Sequence, residues 1–422
     1  MISGTRLLLF AAGLLAACDS GTQAESPTTT WHAILPESSS EQEAEQAVPP
    51  RAPTAPGDPA AEEPPEAVPP ASGPALTAEQ QALCDRLRSC LAYYFYRPET
   101  TQRRSPWGVL HAVVGFGVDT SLLAVDREVN AIAWLCANGP CYGMQLLVCP
   151  NPGAVSARKG PGFQGHDGQL LAILAQSRVK SDYPLVVQGQ RLTIADLVRT
   201  EQLSCRAGTE LSFKLIGLAH YLPSDVTWRN DLGEAWNISR MVREELAQPI
   251  VGAACGGTHR LMGLSYAVRN RQQSGEKMDG QWERARDYLE QYYAHTFKLQ
   301  NADGSFSTDW FARRGDQPDW DRRLDTTGHT LEWLAYSLPA DRLSDPRVVR
   351  AVEYLTELMW RYRGRDWEIG PRGHAIHALS LYDERVFGGQ LGRRAADLAA
   401  HRHPGQTAEV VERPRARQAP CR

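Results

Sequence analysis

Gly328-His329-Thr330-Leu331-Glu332-Trp333-Leu334-Ala335 is the phrase whose reading decides the fold, because five other stretches repeat its frame. They are Gly108-Val-Leu-His111-Ala-Val-Val-Gly115, Gly165-His166-Asp-Gly-Gln-Leu-Leu171-Ala172, Ser212-Phe213-Lys-Leu-Ile-Gly-Leu218-Ala219, Thr258-His259-Arg-Leu-Met-Gly-Leu264-Ser265 and Gly373-His374-Ala-Ile-His-Ala-Leu379-Ser380. The equivalent positions are 111, 166, 213, 259, 329 and 374, separated by 55, 47, 46, 70 and 45 residues. Each interval holds a pair of helices, and the 70-residue one carries an insertion. Repetition at such a period marks stacked helical units.

Working outward, the stretches between these phrases are helical but half charged, as in Ile194–Leu203, Ser239–Leu246, Trp282–Leu289 and Arg347–Leu358. An apolar inner helix alternating with an amphipathic outer one predicts an all-α domain over residues 76–388, because the apolar period is 3.6 and alternating strand-like runs are lacking. Six such hairpins close into an α/α toroid. An open solenoid of the same hairpins is the rival architecture.

The flanks read differently. In residues 1–17, Arg6 precedes the apolar run Leu7–Ala17, a signal-peptide pattern too short to span a bilayer. Leu15-Ala16-Ala17-Cys18 has the form of a lipobox, so Cys18 is the expected lipidation site and membrane lipid the expected partner. Residues 18–75 hold twelve prolines, and from Asp19 to Ala75 ten acidic residues stand against Arg51 alone. That composition predicts a disordered tether. Residues 389–422, rich in arginine, read as a basic disordered tail. The whole chain carries a net charge of −4 and offers no global attraction to nucleic acid. Exported and lipid-anchored, it is expected to face the periplasm. In that oxidising setting Cys136-Ala-Asn-Gly-Pro-Cys141 is the first-choice disulfide.

A resemblance attaches to the segment Ala285-Arg-Asp-Tyr-Leu289 followed by Leu299-Gln300-Asn-Ala-Asp303-Gly304-Ser305-Phe306. It is similar to the repeat of terpenoid cyclases and protein prenyltransferases, whose outer helix ends in Gln before an Asp-Gly-Ser-aromatic turn. The resemblance implies the toroid over 76–388 and no isoprenoid chemistry, since the Asp-rich cyclisation motif is missing. The phrases GHDGQLLAILAQSRV and GAACGGTHRLMGLSYAVR more closely resemble exported bacterial toroid lipoproteins, which supplies no activity.

Chemistry concentrates at the helix starts. If the inner helices run the same way, His111, His166, His259, His329 and His374, with Phe213 in the sixth place, gather at one mouth. Gln169, Glu332 and His377 lie one turn deeper on the same faces. Asp167, Glu210, Arg260 and Asp325 sit beside them as ligand-binding candidates, and Arg260 is suited to an anion. Trp107, Trp236, Trp310, Trp333 and Trp367 fall in the same register, where indole faces suit sugar rings. The alternative is structural: each histidine caps a buried helix start and was copied by duplication.

Three function classes follow. The first is a hydrolase or lyase acting on a carbohydrate or other cell-envelope substrate, with His166, His259, His329, Glu332, His374 and His377 as its catalytic set and Glu332–His377 as orienter and acid/base. The second is a zinc enzyme, because Cys255-Gly-Gly-Thr-His259 spaces two ligands four apart and His329, His374 and His377 can complete a site. The third is a non-catalytic tethered head for an envelope glycan or small anion.

Overall fold

All six repeated phrases lie in, or lead into, helices that are buried on nearly every side. The computed structural model describes residues 76–403, which belong to one compact unit. The signal peptide, Cys18, the tether to residue 75 and the tail beyond residue 403 lie outside the described residues. The helices are α1 (Ala78–Phe95), α2 (Pro106–Phe116), α3 (Ala131–Cys136), α4 (Gln169–Gln176), α5 (Ile194–Leu203), α6 (Ser212–Tyr221), α7 (Ile238–Leu246), α8 (Thr258–Gln273), α9 (Gly280–Leu299), α10 (Trp320–Ser337), α11 (Pro346–Arg361), α12 (Ile369–Val386) and α13 (Arg394–Leu398). The fold is all-α. Among the described residues no helix is long and apolar enough to cross a membrane.

Burial sorts the helices as their sequences predict. In α4 every residue from Gln169 to Ala175 is buried, whereas α7 buries only Ile238, Met241, Val242 and Glu245, one stripe at helical spacing. The inner helices are α2, α4, α6, α8, α10 and α12. Each packs on the next, and α12 packs on α2. That closed circuit of neighbours is not the pattern of an open solenoid, whose end repeats meet one neighbour only. The outer set runs alongside, with α5 against α6, α7 and α9 against α8, and α11 against α10 and α12. Close approach depends on Gly373: a Cβ there would lie 2.2 Å from the His111 carbonyl oxygen, so only glycine lets α12 and α2 meet backbone to backbone.

Two features were not foreseen. Helices α3, α5 and α7 are each preceded by a small antiparallel hairpin, Ser121–Ala124 with Arg127–Asn130, Pro184–Val187 with Gln190–Thr193, and Thr227–Arg229 with Ala235–Asn237. The tail boundary at 389 also needs correcting. Arg394 is buried and donates to Asp383 at 2.6 Å and to the Ser380 carbonyl at 2.7 Å, and Leu398 is fully buried, so the fold extends past residue 389 through α13. The insertion predicted between 259 and 329 is the stretch between α9 and α10. It opens with the expected Asp303-Gly304-Ser305 turn, in which Gly304 has φ +95° and Asp303 accepts from the Ser305 backbone at 3.0 Å.

The expected disulfide is absent: Cys136 and Cys141 are both buried and unbonded. The Asn138-Gly-Pro turn between them folds instead around Trp134. The Gly139 N–H donates to the Trp134 carbonyl at 2.8 Å, and the indole N–H donates back to the Pro140 carbonyl at 3.3 Å. Asn138 pins the same turn to Leu147 through both ends of its amide, at 2.9 and 2.8 Å.

Candidate functional site

The register positions converge, though they are not all helix starts as expected: His259 is in the first turn of α8 and His166 lies just before α4, whereas His111, His329 and His374 fall inside α2, α10 and α12. His111 lies 5.6 Å from His374 between ring centroids, His374 stacks on His329 at 3.9 Å, and His259 stands 5.6 Å from His329 and 5.4 Å from His374. On its other side His259 meets Phe213 at 4.6 Å and His166 at 5.4 Å. Five imidazoles and one phenyl ring therefore form a connected cluster with His259 at its centre.

Each histidine but one has a fixed partner. The His111 Nδ1 hydrogen-bonds the Trp107 carbonyl at 2.7 Å, and the His329 Nδ1 the Asp325 carbonyl at 2.8 Å, with the Asp325 carboxylate 3.2 Å away. One turn deeper, Glu332 accepts from His374 Nδ1 at 2.8 Å and from His377 Nδ1 at 2.5 Å. The expectation that Glu332 and His377 sit at one depth is met, and His374 shares the same carboxylate. His166 pairs with Glu210 at 2.8 Å. His259 is the exception: both of its ring nitrogens are buried and have no hydrogen-bond partner.

Exposure separates the members. The side chains of His166 and Glu210 are 19% and 38% exposed, while His111, His259, His329, Glu332, His374 and His377 are all buried. Burial, reinforced by neighbouring imidazoles, pushes His111 down to about 3 and His259 well below the ordinary imidazole value. Burial also lowers His374, outweighing its bond to Glu332. In His329 burial acts the same way but is overcome by Asp325 and Cys255, and the net shift is upward. Burial alone would raise Glu332, yet the two imidazoles it accepts from hold it well below the usual carboxylate range.

Other predicted site residues have structural duties. Arg260 does not face an open cavity: its Nε donates to Glu245 at 3.1 Å and its Nη1 to the Pro249 carbonyl. Glu245 in turn receives the Leu211 backbone N–H and the Ser212 hydroxyl at the start of α6. Gln169 accepts from the Gly165 N–H at 2.8 Å, and Asp167 pairs at the surface with Lys159. Trp236, Trp333 and Trp367 are fully buried core residues, unavailable to a sugar. Trp107 packs on His111 at 4.2 Å and Trp310 edge-on against His329 at 5.7 Å.

Cys255, named in the sequence only as a zinc ligand, proves central. It has φ +46° and is followed by Gly256 and Gly257, also left-handed, so three successive residues make a tight loop before α8. Gly256 is required twice over: a Cβ would lie 2.2 Å from the Trp310 indole. Cys255, His259 and His329 each bring one ligand atom within 4.8 Å of the others, and so do His166, Glu210 and His259. Gly256, Trp310, Asp309 and Arg322 line a cleft of about 490 Å³ beside this loop.

Comparison with protein-family models, with curated proteins and with solved structures finds no match.

Proposed function

We propose that the chain is an exported, lipid-anchored hydrolase or lyase acting on a carbohydrate or other cell-envelope substrate at the histidine mouth of an α/α toroid, with His166 as acid/base and Glu210 as its orienting carboxylate. The observation that carries this is the His166–Glu210 pair, at 2.8 Å and partly open to solvent where every other imidazole of the cluster is buried. A carboxylate at Nδ1 fixes the tautomer and leaves Nε2 to take and return a proton. Glu332 and His377, the pair expected in that role, are buried one turn deeper, where Glu332 orients His374 above it. The lipobox at Cys18 and the proline-rich stretch after it support display away from a membrane.

The test is turnover of a panel of envelope glycans and peptidoglycan fragments by the full-length protein. His166→Ala should lower kcat by about 10²–10⁴-fold with the fold intact, and Glu210→Gln should shift the pH profile. Full turnover by His166→Ala would overturn the assignment. Saturable binding without turnover would make the chain a tethered binding head instead. Fatty-acid labelling should be lost in Cys18→Ala, and retained labelling would remove the anchor.

A further inference from the structure

We propose that Cys255, His259 and His329 bind one zinc ion and leave its fourth position open to water or substrate. The three residues come from a loop, the first turn of α8 and the middle of α10, and still bring their ligand atoms within 4.8 Å of one another. Ligands around tetrahedral zinc stand roughly 3.3–3.8 Å apart, given Zn–N of about 2.0 Å and Zn–S of about 2.3 Å. Binding therefore needs each pair to close by about 1.5 Å at most.

His259 points to the ion most directly. It is 7% exposed, and neither ring nitrogen has a partner. Buried polar groups in folded proteins are paired, and an orphan calls for an explanation such as an absent ion or water. Core packing gives none, because the equivalent place in the third repeat is filled by Phe213. A zinc ion on one nitrogen supplies the missing partner. The His166–Glu210 pair also approaches a ring nitrogen of His259 to within 4.8 Å.

His329 is already arranged as a ligand. Asp325 takes its Nδ1 through both the carbonyl and the carboxylate, as in carboxylate–histidine–zinc arrangements, and the other side-chain partner of the ring is Cys255 itself. The ring is held flat by His374 at 3.9 Å, and Glu332 holds His374 in turn. Cys255 is kept in a left-handed backbone that a residue with a side chain adopts only at a cost, and such strain clusters where function needs it. One thiolate with two imidazoles suits a borderline-soft ion, and three protein ligands are the number found in catalytic rather than structural zinc sites. The cleft lined by Gly256 and Trp310 lies beside the loop that carries Cys255.

The assignment goes beyond the acid/base reading and does not rest on it, since metal content is measured without substrate. Full-length protein, stripped by chelator, reloaded with zinc and desalted, should hold about one zinc per chain by mass spectrometry. Cys255→Ser and His329→Gln should each lower that to near zero, while Glu210→Gln should keep it. Because a ligand variant can fail to fold, the apo wild type is also titrated with cobalt(II). A thiolate-to-cobalt charge-transfer band, absent in folded Cys255→Ser, is expected. No retained metal and no such band in the wild type would overturn the proposal. So would zinc kept by Cys255→Ser but lost in Glu210→Gln, or a copper ion with an intense blue absorption in place of zinc.

Discussion

The same six inner helices end in two different chemistries. At the level of the repeated phrases stand imidazoles, a thiol and the buried Glu332 carboxylate. At their far ends Arg178, Arg269 and Arg385 stand around the stacked pair Tyr266 and Tyr336, whose rings lie 4.1 Å apart. At the far end the arginines have visible work. Arg269 donates to the Tyr336 carbonyl at 3.1 Å, Arg385 to the Ala335 and Tyr336 carbonyls at 2.6 and 3.0 Å, and Arg178 pairs with Glu384. Cations on the last carbonyls of α10 complement the negative end of the helix dipole and satisfy acceptors that the helix leaves open. At the near end Glu332 with its two imidazoles is equally settled, but His259 is not. The difference teaches where to look for function: a dense cluster of polar groups is ordinary when its partners close, and informative where they do not.

The largest effect expected from breaking this contrast is at Glu332. Glu332→Ala leaves two buried imidazoles without their acceptor and should cost about 3–5 kcal/mol in urea denaturation. A loss below about 1 kcal/mol would mean the carboxylate does not organise the cluster.

Acid should come next. His111, held at about 3, and His259 and His374, both lowered, are neutral when folded and take up protons on unfolding. Their stabilisation is complete above the unfolded imidazole value of about 6.5 and fades as pH falls below it. His329 is raised, so its contribution is present below about 6.5 and is lost as pH rises through its folded value. Three groups outweigh one. Metal-free protein should therefore lose on the order of 2–4 kcal/mol between pH 7 and 5, at about 1.4 kcal/mol per pH unit for each proton. Stability flat or rising over that interval would contradict the neutral assignments.

At the far end Arg385→Leu should cost about 1–2 kcal/mol by freeing the last carbonyls of α10, with no effect on zinc content. A change in zinc content would couple two ends that are described here as separate. Smallest of all, removing residues 19–75 should move the thermal midpoint by no more than a few degrees, since their composition offers little to bury. A larger shift would mean that they pack on the folded unit.

The alternation of inner and outer helices was legible because the inner phrases repeat a small residue, a histidine and a leucine frame, and because outer helices such as α7 carry one apolar stripe. The meeting of Glu332 with His377 was legible too, since equivalent positions on neighbouring helices share a depth. The small hairpins were missed because strands of three or four residues are too short for alternation to show, although Gln188-Gly189, at φ +50° and +79°, is a hairpin turn signal in plain view. Arg260 and Arg394 were misread for a shared reason: Glu245 and Asp383 neutralise them through tertiary contacts that no local pattern announces. Likewise, spacing alone suggested a Cys136–Cys141 bridge, whereas the turn between them is organised by Trp134.

The central claim is that His259 is a metal ligand and not a core histidine. Chemical denaturation of wild type and His259→Phe, each in chelator and in excess zinc, tests it most directly. Phe213 already fills the equivalent place in the third repeat, so in chelator the variant should match the wild type to within about 1 kcal/mol or exceed it, because no hydrogen bond is lost. In zinc the wild type alone should gain stability, by RT ln(1 + [Zn]/Kd). A variant destabilised in chelator by about 1–3 kcal/mol, or a wild type indifferent to zinc, would contradict the account.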